Sequence, residues 1–139
     1  MRHDPIDPAG YLGTECPPEA VTDAVGRELR GVLDLLERES CAAIAAAEAE
    51  LEALEQREAA DLEDNAARSA AMTLASELVV RGRKEIEEIE AARDRFTSRT
   101  FGVCERCHVA IPLFRLRALP TTRVCVTCAR MATHATEGR

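Results

Sequence analysis

Tryptophan is absent from the chain, and the aromatic residues are one tyrosine and three phenylalanines in 139 residues. Hydrophobic residues make up 46%, but much of that share is alanine, which covers little core. A large compact core is therefore not expected, since rings dominate buried area in globular interiors. Long apolar runs are missing too. None approaches the roughly 18–20 residues of a membrane span, and the opening "MRHDPIDPAGYLGTECPPE" lacks the apolar segment of a secretion signal. The expected location is the cytoplasm, a reducing compartment. Positive charge is in deficit: 18 Lys and Arg against 25 Asp and Glu leave −7. Such a chain repels DNA phosphates over most of its surface and suits a basic or metal-containing partner; specific DNA binding is not expected. Catalytic signatures are lacking as well. There is no phosphate-binding glycine loop and no nucleophile–base pair, and His3, His108 and His134 have no obvious partners. The chain does not read as an enzyme.

What is present is helical. Ala, Glu, Leu and Arg dominate residues 23–95, and no proline stands between 19 and 111, so a long helix meets no breaker there. Residues 1–18, with four prolines and two glycines, read as a flexible tail. A helix is expected to start near Pro18, with Glu19 and Asp23 suiting its dipole. Apolar and small residues then recur at Leu29, Leu33, Leu36, Ser40, Ile44, Ala47, Leu51 and Leu54. The steps of three and four make a coiled-coil seam with one irregularity at Ser40. A second seam runs through Met72, Ala75, Val79, Gly82, Ile86, Ile89, Arg93 and Phe96. Glu85, Glu87, Glu88 and Glu90 lie off it and should be solvated. Between the seams stands "EAADLEDNAAR", where Asp61, Asp64 and Asn65 suit a turn or cap, with Asp64 or Asn65 capping the second helix. The fold class is thus mainly α: a long antiparallel coiled-coil hairpin over 19–99 with an acidic tip at 58–66. At about 1.5 Å per residue, each arm of roughly 30–35 residues should run about 45–50 Å.

Residues 100–139 are of another kind. Cys104 and Cys107 form one Cys-x-x-Cys pair and Cys125 and Cys128 a second, seventeen residues on. Structural zinc takes four tetrahedral N/S ligands, and two such turns complete the shell. Two disulfides or an iron centre would share the spacing; disulfides conflict with a reducing compartment. Four thiolates and one Zn²⁺ leave no open coordination position, which argues against metal catalysis. His108 stands next to Cys107 but is not needed as a ligand. Ile111, Leu113, Phe114, Leu116 and Leu119 are the expected mini-core, and a C-terminal helix should follow. Cys41, among alanines, reads as a small buried hydrophobe, and Cys16 as a free thiol in the tail.

These motifs together resemble the DksA/TraR family of RNA polymerase-binding transcription factors. The family's finger has the form "FGxCxxC…I…RLxAxP…CxxC", matched here by Phe101, Gly102, Cys104, Cys107, Ile111, Arg115, Leu116, Ala118, Pro120, Cys125 and Cys128. Its longer members carry "DxxDxA" at the coiled-coil tip, matched by Asp61, Asp64 and Ala66, with Asp64 forty residues before Cys104. The resemblance covers roughly residues 22–135 and implies a DksA-like form. It further implies insertion of the coil into the secondary channel of RNA polymerase, in the largest subunit, with the tip near the catalytic magnesium and the zinc end at the rim. Arg81 and Arg115 fall at rim-contact positions. Longer members cooperate with the alarmone ppGpp, but Glu88 and Leu119 stand where a Lys and an Arg are expected, so weak or no ppGpp dependence is expected. The expected state is a monomer. Without the resemblance, a zinc-stabilised coiled-coil adaptor between proteins would fit the seams equally well.

Overall fold

A computed structural model describes residues 21–57 and 62–136. Four helices make up the described chain: α1 (Asp23–Gln56), α2 (Leu62–Thr97), α3 (Leu113–Ala118) and α4 (Val126–Thr136). Strand pairing among the described residues is confined to one isolated antiparallel bridge, Val103 with Ala110. The tail at 1–18, Cys16 and the expected start at Pro18 lie outside the described residues. α1 starts at Asp23 rather than near Pro18. Thr22 sets that start: its hydroxyl accepts from the Val25 N–H at 3.4 Å and its carbonyl from Gly26 at 2.8 Å, as a threonine N-cap does. No helix among the described residues is long and apolar enough to cross a membrane.

The described chain forms two compact units, one of residues 31–91 and the other of residues up to Arg30 together with those from Ala92 on. In the first, α1 and α2 run antiparallel: Ser40 pairs with Glu85, Glu48 with Arg83, and Leu54 with Arg68. Every residue of both expected seams is buried or half-buried. The irregularity at Ser40 has a physical answer. Its buried hydroxyl donates to Glu85 Oε2 at 2.9 Å, so the polar group in the seam is satisfied from the neighbouring helix. Glu85 is thus exposed but engaged, and Glu88 is half-buried, while Glu87 and Glu90 face solvent as expected. Gly82 gives Ile44 its place: a Cβ there would stand 2.6 Å from Ile44 Cγ1. Cys41 corrects the sequence reading, because it is exposed. Ser40 takes the inward position, and the next residue on a helix is turned about 100° away.

The second unit holds α3, α4 and the cysteines. Phe96 and Phe101 stack with ring centroids 3.7 Å apart, Arg30 lies over Phe96 at 4.9 Å, and Arg95 over Phe101 at 5.8 Å. Here α2 buries Ala92 and Arg95, and the expected Phe96 is half-buried, because the helix meets more than one neighbour. Ile111 and Leu116 are fully buried, but Phe114 and Leu119 are more than half exposed. The mini-core is therefore smaller than expected. With six residues, α3 has one inward face, and Leu116 occupies it.

Candidate metal centre and acidic tip

The first cysteine pair sits in a tight knuckle. The Cys104 N–H donates to the Val109 carbonyl at 2.9 Å, and the His108 N–H returns to the Cys104 carbonyl at 2.9 Å. His108 closes this turn with φ 58, a conformation rare for a side-chain-bearing residue. Gly102 has φ 84, and a Cβ there would lie 3.1 Å from Val21 Cγ2. The glycine ahead of the first cysteine therefore answers a backbone demand. The second pair lies at the start of α4. The Cys125 N–H donates to Cys104 Sγ at 3.3 Å and the Cys128 N–H to Cys125 Sγ at 3.5 Å.

All four sulfurs lie within 4.8 Å of one another. Around tetrahedral zinc with Zn–S near 2.3 Å, sulfurs stand about 3.8 Å apart; Cys107 and Cys125 are 3.7 Å apart. That separation is far from the roughly 2.05 Å of a disulfide. The thiols titrate unequally. Burial opposes ionisation of Cys104, but N–H groups of Cys107, Cys125 and Arg106 outweigh it and hold the thiol at about 6. Cys128 is pushed up to about 12, by burial first and then by the Cys125, Cys107 and Cys104 side chains. One thiolate is thus favoured and a full set is resisted, as expected where a cation must supply the missing charge. Zn²⁺ fits this donor set: Cys104, Cys107, Cys125 and Cys128 would hold it, and it would close the finger as a structural centre.

At the other site, Asp61 lies outside the described residues. Asp64 is in the first turn of α2, which begins at Leu62, so neither Asp64 nor Asn65 is the cap expected from sequence. The Asp64 carboxylate pairs with Arg57 at 3.5 Å. Ala66 follows, exposed. Arg68 donates to the carbonyls of Leu54 (3.4 Å) and Arg57. It covers carbonyls at the end of α1, which has no basic residue in its last turn. Of the two rim-contact candidates, Arg81 is exposed along a shallow groove of about 640 Å³ on α2 with Met72, Ser76 and Val80. Arg115 is half-buried and donates through Nε to the Val124 carbonyl at 3.0 Å. Sequence reasoning missed Arg95 and Arg68, since neither stands on a seam or in a motif.

Comparison with known proteins bears on the finger and on the fold. The family model of the prokaryotic dksA/traR C4-type zinc finger matches residues 99–134. An uncharacterized protein of Aquifex aeolicus is 46% identical over 44 residues, 32% of this chain and 30% of its own. The RNA polymerase-binding transcription factor DksA of Escherichia coli K12 is 40% identical over 52 residues, 37% of this chain and 34% of its own. The matched stretch thus spans about a third of the length of these curated relatives. The structure of transcription factor DksA2 from Pseudomonas aeruginosa superposes with a TM-score of 0.77, covering 87% of this chain and 92% of that one at 24% identity, a likeness of fold. Residues 99–134 thus match a dksA/traR C4-type zinc finger, with its four thiols convergent, and the described chain has a fold like that of DksA2.

Proposed function

We propose that the protein is a cytoplasmic transcription regulator that binds RNA polymerase. Its coiled coil enters the secondary channel, and the carboxylates of Asp61 and Asp64 act near the catalytic magnesium to modulate initiation. The observation that carries this reading is Asp64 in the first turn of α2, beside the turn of the hairpin, on a chain with a DksA/TraR finger. Coil and finger supply contact area, with Arg81 and Arg115 against the channel rim, and the tip supplies charge. Binding is as a monomer, without specific DNA contacts. The test is transcription in vitro from a ribosomal promoter. Asp61→Asn with Asp64→Asn should keep polymerase binding and lose regulation, since Asn still suits a helix start. Regulation equal to the parent's would sink the role of the tip. The same assay run with and without ppGpp, on a polymerase lacking any other ppGpp site, should show little dependence. Glu88 repels a polyphosphate and Leu119 offers it no donor. Of the nearby substitutes Arg83, Lys84 and Arg117, Arg83 is paired with Glu48 and Arg117 with Glu28, and Lys84 is exposed. A several-fold enhancement by the nucleotide would contradict that part.

A further inference from the structure

We propose that Arg95 is the positioning residue of the metal centre, setting zinc affinity through the backbone on both sides of the cysteine cluster. Arg95 is buried, at 8% relative exposure for the residue, so its donors are to be met within the protein. Two of them are: Nη1 donates to the Thr122 carbonyl at 2.8 Å and Nη2 to the Thr121 carbonyl at 2.9 Å. A planar fork suits two neighbouring carbonyls in a way that an ammonium does not. The turn so gripped leads directly into Cys125. It is further closed by Thr122 N–H to Leu119 at 3.0 Å and by Arg115 Nε to Val124 at 3.0 Å.

The backbone of Arg95 grips the other approach. Its carbonyl accepts the N–H groups of Thr100 at 2.9 Å and Phe101 at 3.0 Å, at the start of the segment that runs through Gly102 to Cys104. One residue at the end of α2 therefore fixes the entry to each Cys-x-x-Cys pair. The two pairs meet where the Cys125 N–H donates to Cys104 Sγ at 3.3 Å. If the Thr121–Val124 turn shifts, that bond lengthens, and the thiolates lose both a donor and the preset separation a tetrahedral ion needs. Groups that orient metal ligands without binding metal typically change affinity 10–100-fold when removed. The inference stands on the finger's geometry and does not depend on the polymerase reading.

The test uses the full chain and a chromophoric chelator competing for zinc. Arg95→Lys keeps the charge but not the fork. Arg117→Ala is the control, because Arg117 belongs to the same unit and ties α3 to Glu28 through an exposed pair at 2.9 Å. Arg95→Lys should weaken zinc binding about tenfold and shift the visible spectrum of the Co²⁺-substituted finger, while Arg117→Ala stays near the parent in both. A loss of less than about threefold in Arg95→Lys, or an equal loss in Arg117→Ala, overturns the proposal; the first shows no positioning role, the second a general loosening.

Discussion

Gly82 and Ile44 show how one side-chain contact sets the seam. Alanine in place of a helical glycine normally gains about 1 kcal/mol. Here the added Cβ would come within 2.6 Å of Ile44 Cγ1, and overpacking costs roughly 1–3 kcal/mol. Gly82→Ala should therefore lower stability by about 1 kcal/mol in denaturant melts, and should raise it in an Ile44→Ala background. A stabilising Gly82→Ala in the parent would show that the helices separate there at no cost. Ser40 is a related case at the same level. The hydroxyl looked like a fault in the sequence pattern because its partner, Glu85, lies on the other helix, 45 residues away, where periodicity along one helix cannot find it.

Among elements, the two long helices were legible because a three-four pattern of apolar residues is local information. Their ends were less so. Thr22, a single hydroxyl, starts α1, and Arg68 reaches from α2 to cover its end. The finger was legible as a ligand set through its spacing, but Arg95 was not, since its carbonyl partners at 121 and 122 carry no sequence signal. The finger's chemistry gives two predictions. Cys125→Ser removes one thiolate from a unit whose fully buried large side chains, besides Cys104, are Leu29, Ile111 and Leu116 among the described residues. That variant should lose zinc and the near-ultraviolet signal of the Phe96–Phe101 stack while most α1 and α2 helicity remains; retained stoichiometric zinc would contradict the four-thiolate site. Protons compete with the metal for the thiol of Cys128, raised to about 12, and for that of Cys107, also raised. A raised thiol pKa means the proton is held until the metal displaces it, so apparent zinc affinity should climb with pH through the neutral range and zinc should be released as pH falls towards about 5. An affinity that is flat between pH 6 and 8 would show that the thiols are already ionised.

Over the whole molecule, the acidity hidden in a net charge of −7 is unevenly placed. Residues 31–91 carry 16 acidic and 6 basic side chains, whereas residues 92–139 carry 3 acidic and 9 basic. The coil thus has the charge for a basic, metal-containing channel, and the finger does not share it. That division is what the proposed function predicts: one part probes and the other holds. The direct measurement places a tethered iron chelate at the tip. Asn65 is exposed and stands outside the motif of Asp61, Asp64 and Ala66, so Asn65→Cys leaves that motif in place. Cys16→Ser and Cys41→Ser remove competing thiols, and bound zinc protects the other four. Hydroxyl radicals generated on the complex with RNA polymerase should cut the largest subunit close to the segment that holds the catalytic magnesium. Cuts confined to the outer surface of the polymerase, or none above the untethered control, would contradict insertion of the coil.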